Sequence, residues 1–178
     1  MPIPVVSVVG KSDSGKTTFL EKLIPELKRR GHRVATVKHD VHGFDIDVPG
    51  KDTWRHGKAG ADFVFISGPE RMAMIRRQSR ELALDEIAEL ADGADILLTE
   101  GYKKADKPKI EVSRKARSSE LLSVPEELIA VVADQAFDLD VPQFGLDDAP
   151  GVADLIERMF LRREPVAGGH ASACGKGD

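Results

Sequence analysis

Gly10-Lys11-Ser12-Asp13-Ser14-Gly15-Lys16-Thr17 has the form G-x-x-x-x-G-K-[ST]. It stands between an apolar run, Ile3 to Val9, and a stretch from Gly15 to Arg30 whose apolar residues Phe19, Leu20, Leu23, Ile24 and Leu27 fall at helical spacing. The first run is almost continuously apolar apart from Ser7, which predicts a central strand covered on both faces. Gly31 closes the helix as a C-cap, and Pro25 within it predicts a kink near Glu21 to Ile24. A strand, a Gly-bounded turn and a helix N-terminus together form a phosphate loop. Its amide N–H groups curl around a β-phosphate, the helix dipole adds partial positive charge, Lys16 bridges phosphates and the Thr17 hydroxyl ligates Mg²⁺. The predicted phosphate-binding residues are therefore Gly10, Lys11, Ser12, Asp13, Ser14, Gly15, Lys16, Thr17 and Thr18.

The rest of the chain repeats the alternation of apolar runs and helical patterns, the signature of βαβ units around a parallel sheet. Strands are expected over Arg33 to Lys38, Ala94 to Thr99, Lys109 to Val112 and Leu128 to Ala133. Helices are expected over Lys51 to Ala61, Leu82 to Ala91 and Val152 to Leu161. Asp62 to Ile66 and Arg71 to Arg76, joined by Ser67-Gly68-Pro69-Glu70, read as a hairpin. Phe63 and Phe65 lie on one of its faces and Val64 and Ile66 on the other, so each face needs cover from a helix or another subunit. The expected fold is a P-loop NTPase-like three-layer α/β fold, mostly parallel with an antiparallel hairpin. One nucleotide-binding domain spans 1–163; 164–178, Gly-rich and without periodicity, reads as a disordered tail.

Composition narrows the class. With 41% hydrophobic and 31% charged residues the chain is an ordinary globular domain, and a net charge of -4 argues against a protein that works by neutralising a nucleic-acid backbone. One cysteine, Cys174, cannot form an internal disulfide, and no apolar run approaches the roughly 20 residues that cross a bilayer. The expected compartment is the cytoplasm, with neither membrane nor nucleic acid as partner.

Ligands of an open parallel sheet bind beyond the carboxyl ends of its strands. Asp40 follows the second strand and Glu100 the run Ala94 to Thr99, so both are candidate catalytic and Mg²⁺-binding carboxylates alongside Lys16 and Thr17, or else caps or surface carboxylates. Asp95 precedes its strand and belongs at the opposite edge. The chain contains no asparagine, so the Asn-Lys-x-Asp guanine reader of small GTPases is absent in that form. Asp134, after Leu128 to Ala133, is still placed to accept from a guanine N1–H and 2-amino group, a pairing adenine lacks. His32, His39, His42 and His56 share a basic stretch with Lys38, Lys51, Arg55 and Lys58, read as anion-binding at the phosphate edge rather than as a transition-metal site. A second cluster, Lys103, Lys104, Lys107 and Lys109, follows Glu100, and Arg55 or Arg114 is a candidate arginine finger.

The phosphate loop with Thr18, Leu23-Ile24-Pro25, Lys38-His39-Asp40, Asp45-Ile46-Asp47, Pro49-Gly50-Lys51-Asp52-Thr53, Ala59-Gly60-Ala61, Glu100-Gly101-Tyr102-Lys103 and Pro108-Lys109-Ile110-Glu111-Val112 occur in that order between Val5 and Asp134. In this the chain resembles the MobB proteins, nucleotide-binding adapters of molybdopterin guanine dinucleotide biosynthesis. The resemblance implies a homodimer that binds GTP with Mg²⁺, hydrolyses it weakly, and assists the MobA-type guanylyltransferase that joins GMP to molybdopterin. Molybdopterin itself is a further implied partner. Lys11 also has the spacing of the signature lysine of the MinD and ArsA ATPases, although Ser12 and Asp13 stand where that motif has glycines. Two other readings are an ATP-dependent ligase or kinase of the dethiobiotin synthetase type and a metallochaperone GTPase, for which His170 and Cys174 are the sparse ligands on offer.

Overall fold

A computed structural model describes residues 2–161. The assignment of 164–178 as a tail, with His170 and Cys174, lies outside the described residues.

Six strands form one parallel sheet in the order β2-β5-β1-β6-β7-β8. They are β1 (Val5–Val9), β2 (Val34–Lys38), β5 (Ile96–Glu100), β6 (Lys109–Ser113), β7 (Leu128–Ala133) and β8 (Gln143–Phe144); β3 (Phe63–Ser67) and β4 (Met72–Arg76) pair separately as the expected antiparallel hairpin. Every residue of β1 is buried, as the apolar run required of the central strand, and it is flanked by β5 and β6. β8 escaped the sequence reading because two residues are too few to show any period.

Alternate residues of the strands meet two different layers. Val6, Val8, Ile110 and Val132 pack against Phe19, Leu23 and Leu27 of α1 (Lys16–Arg29) and Val152 and Ile156 of α4 (Ala149–Ile156). Each such side chain contributes roughly 1.5–3 kcal/mol by leaving water. On the opposite face Val5 and Leu97 meet Leu84 and Ala88 of α3 (Leu84–Leu90). Among the described residues no α-helix covers that face of β6. There the irregular segment 114–127 lies over Lys109 and Glu111, both about 1% exposed. Lys109 pairs with Glu127 at 2.8 Å, and the Glu111 carboxylate accepts from the N–H groups of Leu122 (2.6 Å) and Ser123 (2.9 Å). The alternation Lys-Ile-Glu-Val-Ser thus encodes a strand with one oily face and one face that satisfies a loop.

α1 runs through Pro25 as one helix and stops as Gly31 predicted. With φ at +93° Gly31 donates to Lys28 O (3.0 Å) while His32 donates to Leu27 O (3.1 Å), a Schellman pair that occupies orphan carbonyls. α4 begins earlier than its apolar periodicity suggested, because Asp148 accepts from Gly151 N–H (2.9 Å) and Pro150 stands in its first turn. It ends at Ile156 in a π-helical turn, Glu157–Leu161.

α2 (Asp52–Lys58) packs on the hairpin through Gly57, which lies against Val64, and Val64 is the one buried residue of β3 and β4, opposite the half-buried Ile75. The other face stays open: Phe63 is 52% exposed, Phe65 56% and Met72 65%. Among the described residues no helix is long and apolar enough to cross a membrane.

Candidate functional site

The turn after β1 is folded by residues that tolerate positive φ. Gly10 (+145°), Asp13 (+59°) and Gly15 (+96°) bend six residues into a cradle leading into α1. No side chain caps α1, and its first internal bond runs from Phe19 N–H to Gly15 O at 2.9 Å. The amides of the opening turn are thereby left for a ligand. Lys16 Nζ arches back over the loop, donating to Gly10 O (3.1 Å) and Lys11 O (2.9 Å). Burial is the main cause that lowers its pKa, aided by Lys38 and opposed by Glu100 and Asp13. A polyanion would offset that desolvation.

Around this cradle is a hollow of about 500 Å³ whose walls include Ser12, Asp13, Thr18, Lys38, Glu100 and Arg114 as well as Gly15, Lys16 and Thr17. Thr17 Oγ1 donates to the Glu100 carboxylate, at 2.9 Å and 3.0 Å from its two oxygens. Hydroxyl and carboxylate oxygens side by side, beside a phosphate cradle, are the hard donors that suit Mg²⁺, which takes one or two protein oxygens and completes its shell with phosphate and water. β5 neighbours β1 in register, Val8 opposite Glu100, and this is what brings residues 17 and 100 together.

Asp40 does not join them. It lies in an exposed loop beyond the end of β2, its carboxylate accepting from His42 N–H at 2.9 Å, and it is not among the residues lining the hollow. A short acidic side chain followed by a turn satisfies its own loop first. His32 is also misplaced by the sequence reading, since it precedes β2 at the far edge, where its Nε2 lies 2.7 Å from Glu157 beside the Arg30 ion pairs. Asp95 occupies that far edge as expected, accepting from Arg33 N–H at 2.7 Å.

Three contacts show what the sequence reading undervalued. The segment leaving β6 folds over the phosphate loop. The Arg114 guanidinium lies against Gly15, so close that a Cβ there would sit 3.0 Å from Nε, and that Nε is buried with no hydrogen-bond partner. Arg117 reaches Asp13 at 3.3 Å, and Lys11 donates to Ser118 Oγ. Of the two candidate arginine fingers, Arg114 lines the hollow, whereas Arg55 lies on α2 and is not among the lining residues. The available signal was position: the basic run Arg114-Lys115-Ala116-Arg117 directly follows a buried strand at the ligand edge. Asp134, past β7, clasps the same segment, with Oδ1 accepting from Lys115 N–H at 2.7 Å.

A family model for molybdopterin guanine dinucleotide synthesis protein B, MobB, matches residues 5–134. A molybdopterin-guanine dinucleotide biosynthesis adapter protein of Haemophilus influenzae is 37% identical over 160 residues, 89% of this chain and 90% of that protein. The Escherichia coli protein of the same name is 36% identical, covering 90% of this chain and 95% of its own. A crystal structure of Bacillus subtilis MobB superposes with a TM-score of 0.71 at 32% identity, covering 89% of this chain and 98% of that one. A family model over residues 5–134 and relatives 36–37% identical across nearly their whole lengths show that the protein belongs to the MobB family.

Proposed function

We propose that this protein is a GTP-binding adapter in molybdopterin guanine dinucleotide biosynthesis, carrying GTP with Mg²⁺ to a MobA-type guanylyltransferase. The observation that carries the reading is the cradle itself: uncapped helix amides, Lys16 and the Thr17–Glu100 pair converge on one hollow. In this reading residues 10–18 hold the phosphates, Thr17 and Glu100 hold the metal, and Arg114 faces phosphate charge from the side. Hydrolysis is weak in this reading, because among the described residues lining the hollow neither carboxylate is free to order an attacking water: Glu100 accepts from Thr17 and Asp13 pairs with Arg117. The site of action is the cytoplasm, where GTP is abundant.

A nucleotide competition assay, with and without the guanylyltransferase, tests the reading. GTP should displace a labelled nucleotide at least ~10-fold better than ATP, and turnover should stay far below about 1 per second. Phosphorylation of a small metabolite at ordinary enzyme rates would instead support the ligase or kinase reading. Asp134→Ala decides who reads the base. If Asp134 accepts from guanine, its loss lowers GTP affinity by about 10-fold or more and leaves ATP nearly unchanged. Equal losses for both nucleotides mean that its role is to clasp Lys115.

We also propose that the hairpin's open face meets a second copy of the chain. Phe63 and Phe65 stack with centroids 6.4 Å apart beside Met74, an apolar patch that a monomer would leave in water. Phe65→Glu should convert a dimer to a monomer in sedimentation velocity without changing the far-ultraviolet spectrum; an unchanged dimer would move the interface elsewhere.

A further inference from the structure

Lys38 lines the phosphate hollow, yet neither the cradle nor the Thr17–Glu100 pair engages it. Its place follows from the alternation of side chains along β2. Val34 joins the core layer beneath α1, whereas Ala35 and Val37 pack towards α3. Thr36 and Lys38 therefore share the α1 face, and a recess of about 160 Å³ between β2 and α1 is bounded by Leu20, Ile24 and Thr36 with Thr17 and Lys38 at its mouth.

The strand end that carries Lys38 is held from two sides. Lys38 is the register partner of Glu100, and His39 N–H donates to Glu100 O at 3.0 Å. Gly101 (φ +98°) and Tyr102 (φ +55°) are both left-handed, and this double bend turns the Tyr102 ring onto His39, with centroids 4.5 Å apart. A Cβ at Gly101 would stand 3.2 Å from His39 Cβ, so the stack requires glycine there. His39 Nε2 in turn lies 2.8 Å from Glu81 Oε1. The root of Lys38 is thus fixed, while its ammonium is exposed and has neither hydrogen bond nor salt bridge among the described residues. Lys16, by contrast, is bound to two loop carbonyls, and Arg114 lies against Gly15.

Sheet order says which phosphate such a cation meets. From β1 outwards come β5 and then β2, so the carboxyl edge carries the phosphate loop, Glu100 and Lys38 in that sequence, with Lys38 two strand spacings, roughly 10 Å, from β1. Arg114 and Asp134 follow β6 and β7 on the other side. A nucleotide with its base on that side lays its inner phosphates over the loop and its Mg²⁺ at Thr17 and Glu100, and only its outermost phosphate extends past Glu100. We infer that Lys38 binds the terminal phosphate of a nucleoside triphosphate and thereby makes the site prefer triphosphate to diphosphate. The inference rests on the nucleotide reading above and goes beyond it, since the loop, Thr17 and Glu100 serve both ligands alike. Electrostatics favour it as well. Lys38 is among the groups that lower the Lys16 pKa, and a phosphate between the two ammonium groups replaces their repulsion with two attractions.

Titration calorimetry of the full chain with Mg²⁺ compares GDP with guanosine imidotriphosphate, a triphosphate that is not hydrolysed. The triphosphate should bind the unaltered protein at least ~10-fold more tightly than GDP. Lys38→Ala should weaken the triphosphate about 10-fold while GDP affinity changes less than ~2-fold, and Lys38→Arg should keep most of the preference. A merely structural role would move both ligands together, and an unshifted melting curve for Lys38→Ala checks that the fold is intact. Tripolyphosphate and pyrophosphate, used as competitors, should repeat the pattern without a base. Equal losses for triphosphate and diphosphate, a preference that survives Lys38→Ala, or an unaltered protein that does not discriminate overturns the assignment. Inorganic polyphosphates that follow the pattern while guanine nucleotides fail to bind would instead sink the GTP reading and leave Lys38 in its role. Failure of every polyphosphate to bind overturns the loop and Lys38 together.

Discussion

Lys16→Ala is expected to abolish measurable GTP binding in calorimetry, a loss of at least ~100-fold or about 2.8 kcal/mol, while the protein stays folded. The ammonium is half-buried over the loop and donates to two backbone carbonyls, Gly10 O and Lys11 O, on the rim of the hollow. Its removal costs the folded state only those two partly solvated bonds, so melting should shift by no more than about 4 °C. The bound state loses a cation positioned in a site with low solvent access, where a charge-assisted bond is strongest. Retained GTP affinity would show that the loop is not the nucleotide site. A collapsed circular-dichroism spectrum would show that Lys16 supports the fold instead.

Gly10→Ala should do the opposite and fail at the level of structure. A Cβ on Gly10 would stand 2.3 Å from the carbonyl oxygen of Val112 and 2.7 Å from Ser14 Oγ, at a φ of +145°. The clash is with the backbone of β6, paired in register with β1, so the sheet itself must give way. Overpacking and backbone strain of this kind cost about 2–4 kcal/mol, which predicts a melting temperature lower by roughly 5–15 °C, with nucleotide binding lost as well. An unshifted melting curve would mean that the turn can move off β6 freely. The two variants separate the two roles of one motif: Gly10 lets the chain pass, and Lys16 holds the ligand.

The contrast also explains how much of the site could be read in advance. Residues 10–17 are contiguous, and their chemistry depends on spacing along one turn, so the cradle is legible from eight letters. Strands were legible because a covered strand is an apolar run, as in Val5–Val9. Glu100 was found because an acidic residue directly following such a run sits at the ligand edge, and β5 does lie beside β1. The same rule misjudged Asp40, since β2 is an edge strand, separated from β1 by β5, and its loop turns on its own aspartate. It undervalued Arg114 and missed Arg117, whose importance depends on a segment that folds back over the loop from β6. The second basic cluster counts Lys109, which the structure instead buries within β6 against Glu127, just as Glu111 beside it is satisfied by the segment above the strand.

Periodicity and motif spacing are local, and they determined which segments would be strands, which face of each helix would be buried, and where a polyanion would lodge. The order in which parallel strands lie, and the direction the chain takes after each strand end, depend on crossovers and packing among residues up to about a hundred positions apart. Only the tertiary structure therefore decided that Thr17 meets Glu100, that Arg114 covers Gly15, that Asp134 holds Lys115, and that the strained turn at Gly101 and Tyr102 pins the strand end carrying Lys38.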